Sequence, residues 1–462
     1  MNIAPSIQAS PAAAMLERLV ALSWADLPPT ARKHAVQCLM DNIGCGIFGA
    51  QFEWTKITAR FVAAEGSRGD ASIFSCREPA APSRAALING VAIHGYELDD
   101  IILGTLSHPG TAVVPAALAI AEHTQASADR LLFGLIAGYE TLARLGSVLA
   151  PHRQIAFHLT GIMGAVAAAV AAAVVADLPL RKLNDAVGIA CSRASGTKAF
   201  SQSVGGMVKR LHGGSAAETG VMACLLADLG FTGPLQAIDG RFGLIEAVCG
   251  DASGASALSK GLGTNWAIER VWTKVYPCCG AVHTALQAIE QLRAQENIAP
   301  DQVKTLRVAT SRRGVTQNGE TAPQDTMGAQ YSLPFCAALA MTGDAKDPLA
   351  FAPENLTRPK IIDMIAKVEL QVDPEIDAAY PDRLGNKVEI TLHEGRKFKM
   401  TLWDAHGMPA APCSPQELHS KFGRLCSASL DTKAIERLLS VLDKFMTGGA
   451  VADLSASLRM QT

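Results

Sequence analysis

G-V-A-I-H-G-Y-E-L-D-D-I-I-L-G-T-L-S-H-P-G-T-A-V-V-P, from Gly90 to Pro115, places the carboxylates Glu97, Asp99 and Asp100 and the imidazoles His94 and His108 in an otherwise apolar run with no lysine or arginine. Helical patterns flank the cluster, Pro82 to Asp100 before it and Thr111 to His123 after it, which predicts two helices joined by a loop at Gly104 to Pro109. On the first helix His94, Glu97 and Asp100 recur at three-residue intervals and share a face, so the acid–base groups can converge on one pocket. The same residues admit a plainer reading, a solvated helix end capped by Ser107 or Thr111.

Outward from this stretch the pattern stays helical. Helices are expected at Ala12 to Leu22, Thr30 to Phe48 behind Pro28-Pro29, Glu53 to Ala64, Ser127 to Leu149, His158 to Ala176 and Leu180 to Ser192, after a loose tail at 1–11. Gly161 to Ala176 carries no charge but is too short and too alanine-rich for a membrane span, so it reads as a buried core helix. Between Ser192 and Gly220, glycine, serine and basic residues interrupt the periodicity. No G-x-x-x-x-G-K-[ST] stands there, and a helix is expected only from Ala216 to Leu229. Lys209, Arg210 and His212 then lie just ahead of that helix, where cations and unpaired N–H groups together suit a carboxylate; a basic loop facing solvent is the alternative.

Beyond Trp272 the composition changes. Val303 to Thr310, Lys367 to Val372, Lys387 to Leu392 and Lys397 to Leu402 read as strands, the last two joined by a hairpin at H-E-G-R, with helices at Ala281 to Gln295 and Tyr331 to Met341. This predicts a small α+β unit with an antiparallel sheet. Helices resume at Ser414 to Leu425 and Thr432 to Phe445. The expected fold is therefore mainly α: a large helical domain made of 1–272 plus 412–462, with a smaller α+β lid domain, 273–411, inserted.

With 462 residues, 49% hydrophobic and 18% charged, and a net charge of −2, the chain has the makeup of a well-buried globular enzyme. No basic run tracks phosphates, so nucleic acid is not an expected partner, and neither is a membrane. The eleven cysteines lack regular spacing, and Met1 to Ala14 lacks the features of a signal peptide, so reduced thiols and a cytoplasmic location are expected. Cys278-Cys279 is no zinc motif, and no metal site is expected. Both cysteines are read as wall residues, His94 and His123 as structural, and Asp99 as a structural partner for an arginine such as Arg144 or for backbone.

Three motifs carry a resemblance: H-G-Y-E-L-D-D with S-H-P-G, K-R-L-H-G-G-S-A-A-E-T-G ahead of L-A-D-L-G-F-T-G-P, and K-V-Y-P-C-C-G-A-V-H-T-A. The chain resembles the MmgE/PrpD family over nearly its whole length, a family that includes dehydratases, decarboxylases and an epimerase of small carboxylic acids. The resemblance implies a homodimer with a site in a cleft between domains, a di- or tricarboxylate substrate, proton transfer at a carbon next to a carboxylate, and no metal or organic cofactor. Carried over by motif, the decarboxylase's site aspartate falls on Glu97, its H-P histidine on His108, and its later histidines on His158 and His283, with its lysine on Lys209. Asp100, Arg210, His212 and Tyr331 are the expected substrate-binding residues. Glu97 is one methylene longer than the family's aspartate, one residue is inserted before His108, and Phe335 falls where the decarboxylase has a tyrosine, leaving Tyr331 or Tyr96 as nearby hydroxyls. The leading expectation is a lyase, dehydratase-like or decarboxylase-like. An epimerase of an imino- or amino-dicarboxylate is the alternative within the same chemistry, and a catalytically silent carboxylate binder is the alternative outside it.

Overall fold

Every residue of the helix Leu159–Val175 is buried, because its alanine, glycine and valine side chains let neighbouring helices approach from all sides. Those neighbours, in the computed structural model, which describes residues 10–152, 156–202 and 207–459, are Gly110–Thr124, Ala128–Leu149, Leu180–Arg193 and Val208–Asp228. Pro82–Ile93 packs on Gly110–Thr124 and Val208–Asp228 in turn. The approach is close: a Cβ on Gly90 would stand 2.7 Å from the Cα of Gly214, so only glycine fits at that crossing. Ala128–Leu149 is the one described helix long and apolar enough to cross a membrane, yet it lies almost wholly inside this core.

A second core gathers around a four-stranded sheet. Val303–Thr310 lies between Val368–Val372 and Asn386–Leu392, and the latter pairs with Lys397–Leu402. The sheet is mixed, not antiparallel as expected: Val368–Val372 runs parallel to Val303–Thr310. Several helices intervene between those two strands, so the chain returns by a crossover instead of a hairpin. Alternation sends Val388, Ile390 and Leu392 inward, where they share a core with Leu286 and Ile289 of the helix His283–Gln295 and with Phe335 and Leu339 of Leu333–Thr342.

The chain then returns to the first core. Phe422, Leu425 and Cys426 of Pro415–Cys426 and Leu438 and Leu442 of Thr432–Lys444 join the helical cluster. The fold is mainly α, with nineteen α-helices among the described residues. On these two cores we propose the division expected from the sequence, 1–272 plus 412–462 against 273–411.

Among the boundaries that differ from expectation, three bear on the candidate site. The helix from Pro82 ends at Ile93, passes through a 3-10 turn at His94–Tyr96, and reverses at Glu97, whose φ of 57° is left-handed. Gly95 lets Trp54 pack closely on this turn, since a Cβ there would come within 2.5 Å of Trp54 Nε1. The three-residue spacing of His94, Glu97 and Asp100 therefore does not place them on one helix face. The helix expected from Ala216 begins at Val208, so Lys209, Arg210 and His212 lie in its first turns and not ahead of it. Finally, Ile101–Ile102, within the expected helix–loop stretch, pairs antiparallel with Val271–Trp272.

A buried ion pair fastens the C-terminal helices to this region. Lys421 Nζ lies 2.7 Å from Asp41 Oδ1 and donates to the carbonyl of Leu98 at 3.0 Å. Lys421→Met strands the Asp41 carboxylate in the core and is expected to cost about 3–5 kcal/mol, whereas adding Asp41→Asn recovers much of that loss. Urea midpoints of the two variants measure it; equal losses would show that the charge pairing is immaterial.

Candidate active site

Because the reversal at Glu97 turns its side chain off the helix axis, the carboxylate meets two lysines from distant parts of the chain. Oε1 accepts from Lys209 Nζ, and Oε2 lies 3.4 Å from Lys274 Nζ. All three side chains are buried. Burial alone raises a carboxyl pKa, but the two ammoniums, with His108 adding to them, hold Glu97 well below the usual carboxylate range. Glu97 is thus a fixed negative charge and a weak base.

The base-forming geometry lies one residue pair away. Asp99 Oδ2 is 2.6 Å from His94 Nδ1 and 3.3 Å from His108 Nδ1. Despite complete burial, the two imidazoles hold Asp99 well below its ordinary range. Burial pushes His94 down to about 4 against the opposing pull of Asp99, so a neutral His94 donates its Nδ1 hydrogen to the carboxylate. His108 meets the same oxygen through Nδ1 while its ring borders the cavity. This carboxylate–imidazole arrangement leaves Nε2 as the nitrogen available for proton transfer.

The cavity, about 160 Å³, is bordered by Glu97, His108, His158, Lys209 and Tyr331, by Ile101, Ile102, Leu103, Gly104 and Leu106, and by Cys279–Ala281, Ser311, Arg313 and Tyr380 from the second core's side. Lys198 and Phe200 also border it. His158 occupies the N-cap position of Leu159–Val175, and its Nδ1 is 3.1 Å from His212 Nδ1. Burial, then the neighbouring His94 and Lys209, drives His158 well below the ordinary imidazole range, so it is neutral. The Tyr331 ring lies 5.2 Å from Lys209 Nζ, and burial and Glu97 raise its hydroxyl well above the usual tyrosine value.

Of the residues expected from sequence, Glu97, His108, His158, Lys209 and Tyr331 meet at this cavity. Four others do not border it. Asp100 faces the opposite way, accepting from Tyr139 Oη at 2.5 Å, Asn42 Nδ2 at 3.0 Å and the Gly110 amide at 2.9 Å. Arg210 lies over Trp54, 3.9 Å from the ring centroid, and donates to the Gly95 carbonyl, which braces the turn. His212 contacts the back of His158. His283 sits fully buried between Trp272 and Tyr276 with Nε2 3.3 Å from the Cys278 carbonyl, beneath the wall. Asp99 pairs with two histidines and not with Arg144, whose partner is Glu140. Phe335 packs against Phe351 in the second core, and Tyr96 packs among Phe48 and Phe52, so Tyr331 is the hydroxyl of the cavity among these three. His123 pairs with Asp70 at the surface.

Lys274 escaped the sequence reading. Lys274 is the single charge in V-W-T-K-V-Y-P-C-C-G, and a lone lysine in an apolar run is the signal that marks it. His94, read as structural, is buried and pairs with Asp99. For a metal, the His94, Asp99 and His108 donor atoms all lie within 4.8 Å of one another, and they form the one such group among the described residues. The 2.6 Å His94–Asp99 contact is a shared hydrogen bond, which a metal would have to displace.

Residues 14–255 match the MmgE/PrpD N-terminal domain and residues 276–444 the MmgE/PrpD C-terminal domain. The chain belongs to the MmgE/PrpD family. The C-terminal match runs past Pro412 into the helices that complete the first core, so the family's sequence division and the packing of the two cores do not coincide. A cis-aconitate decarboxylase-like protein of Aspergillus oryzae is 26% identical over 94% of both chains. The cis-aconitate decarboxylase of Aspergillus terreus is 26% identical over 92% of this chain and 91% of its own. The human cis-aconitate decarboxylase is 26% identical over 89% of this chain and 86% of its own. These relatives support an enzyme of lyase type.

The buried imidazoles give the site a pH signature. A histidine whose pKa falls on folding contributes stability that is present above its unfolded value, near 6.5, and is lost as the pH drops through its folded value. For His94 that window runs from 6.5 down to about 4. The Tm advantage of the wild type over His94→Gln is therefore expected to shrink across this window. A gap that stays constant with pH would mean that His94 does not enter the fold neutral.

Proposed function

We propose that this chain is a lyase acting on a small di- or tricarboxylic acid, moving a proton at a carbon adjacent to a carboxylate in a dehydration or decarboxylation of the kind its relatives' names describe. The observation that carries this reading is the shared cavity: His108, backed by ionised Asp99, opens on the same space as the Lys209 ammonium. Nε2 of His108 exchanges the proton, and Asp99 supports the imidazolium that forms. Lys209, with Tyr331 beside it, stabilises the enolate-like charge that accumulates on the substrate carboxylate. Glu97 holds Lys209 and Lys274 in place, so the cluster of charges is organised before substrate arrives. The chemistry asks for no metal or organic cofactor. The reading also keeps a cytoplasmic homodimer that uses neither nucleic acid nor membrane.

A second reading has its own support. His108 and His158 both border the cavity, and an epimerase needs two proton-transfer groups facing one carbon. Incubation of candidate acids in heavy water separates the readings, since epimerisation exchanges the Cα hydrogen with no other change in mass. Turnover of tri- and dicarboxylic acids, with product mass as the readout, tests the lyase reading; a chain that binds them without product is a silent member.

His108→Gln is expected to lower kcat by about two to four powers of ten with the fold intact, the usual worth of a positioned acid or base. Asp99→Asn leaves the imidazole in place but removes the charge behind it, and is expected to lower kcat more than it changes KM. Turnover near the wild-type level in both variants would remove His108 from the chemistry.

A further inference from the structure

His158 and His212 meet nitrogen to nitrogen. Their Nδ1 atoms are 3.1 Å apart; His158 borders the cavity, and His212 lies behind it in the first turns of the helix Val208–Asp228. A hydrogen bond at that distance needs one nitrogen that carries a hydrogen and one that offers a lone pair, so the two Nδ1 atoms hold one proton between them. Burial lowers both rings from the ordinary imidazole value, with His94 and Lys209 adding to the effect at His158 and Lys209 at His212, so both are neutral. A neutral imidazole protonated on one nitrogen is bare on the other. The two rings therefore take opposite tautomers, and the tautomer of His212 decides whether His158 shows the cavity a donor or a lone pair.

The surroundings keep this contact in place. The His158 amide donates to the Gly196 carbonyl at 2.8 Å, and Gly196, at a φ of 120°, lies against the His212 ring, where a Cβ would stand 3.2 Å from Cδ2. One residue thus ties the backbone of the first histidine to the ring of the second. Phe200 stands edge-on to both rings, with centroids at 5.3 and 5.7 Å, and its side chain offers neither a competing hydrogen bond.

Two features of the cavity choose between the tautomers. His158 is the N-cap residue of Leu159–Val175, whose positive end favours an anion. Lys209 borders the same space. A bare Nε2 would set a lone pair against the carboxylate that these groups attract, whereas an Nε2–H would donate to it. The donor form requires the proton between the rings to belong to His212.

We propose that His212 is a positioning residue: it donates its Nδ1–H to His158 Nδ1 and so holds His158 as a neutral Nε2–H donor to the substrate carboxylate, not as a second base. The donor role rests on the lyase reading; the tautomer pair does not. A neutral imidazole can polarise a carboxylate without surrendering its proton, so this hydrogen bond tightens as enolate-like charge develops, while His108 alone exchanges the proton.

Labelling the histidines with nitrogen-15 tests the tautomers, because the shift of a ring nitrogen separates its protonated from its bare form; His158→Gln and His212→Gln assign the two rings. The expected pattern is a bare Nδ1 and a protonated Nε2 in His158, with the reverse in His212. A His158 proton on Nδ1 would overturn the proposal and leave the lyase reading standing. Tricarballylate and succinate, saturated acids with no group to lose, probe the donor role: each is expected to move the His158 Nε2–H resonance, and binding that leaves it unmoved would overturn that role. His212→Leu is expected to weaken tricarballylate about tenfold, whereas His212→Asn, whose amide N–H replaces the lost donor, recovers most of the affinity. Equal affinities in these two variants would show that His212 acts by packing alone, which also overturns the proposal. A wild type with the expected tautomers that binds neither acid would overturn the lyase reading and the donor role with it.

Discussion

A single carboxylate gripped by two lysines holds the candidate site together. Glu97 sits on a left-handed turn, Lys209 in the first turn of a helix more than a hundred residues later, and Lys274 just beyond the strand that pairs with Ile101–Ile102. None of these groups is tolerable alone in the interior, where an unpaired charge costs several kcal/mol. Their mutual satisfaction makes the turn, the helix start and the inter-core segment a single assembly. The orientation of His108 follows from it, because Asp99 is placed by the same reversal that exposes Glu97 to its lysines.

The division of labour between the carboxylates is set by surroundings, not by chemistry. Glu97, Asp99 and Asp100 lie within four residues, yet one is held by ammoniums, one by imidazoles, and one by hydroxyl, amide and backbone donors. Asp100, given only hydroxyl, amide and backbone partners, has its pKa raised to about 6 by burial, the opposite direction from its two neighbours. Three similar side chains thus become a clamp for lysines, a partner for two imidazoles, and a structural hub for Asn42 and Tyr139.

Much of the fold was legible in the sequence because its helices are long and periodic; Glu53–Ala64 and Leu180–Arg193 fall within a residue of their expected bounds. The strands Val303–Thr310 and Lys397–Leu402 were equally plain from their composition and turn signals. What escaped depended on tertiary contact. Helical spacing through Asp100 was cancelled by a turn on which Trp54 packs closely at Gly95, and no periodicity records that contact. The parallel register of Val368–Val372 follows from a crossover whose path is not written in either strand. For the site, motif resemblance named Glu97, His108, His158 and Lys209, which border one cavity, and His283, which does not, since a motif marks a neighbourhood and not the direction in which a side chain points. Lys274 was missed because its role is defined by a partner 177 residues away.

The short ladder between Ile101–Ile102 and Val271–Trp272 has a mechanical consequence. Trp272 and Ile101 pack with Ala405 and Met408 in a small cluster of their own, between the larger cores. Any hinge motion that parts the cores at this point must either carry the ladder along or break it, and breaking it would drag the loop bearing His108 out of register with Asp99. Opening at that edge would therefore part His108 from Asp99 at the moment the cavity is most accessible to water. The far rim, where the helix Arg312–Asn318 meets the Lys198 segment with no strand pairing between them, can yield without that penalty. Ligand traffic through the rim and a rigid ladder at the back would make the enzyme a box with one fastened side, in which access and chemical competence are mechanically separable.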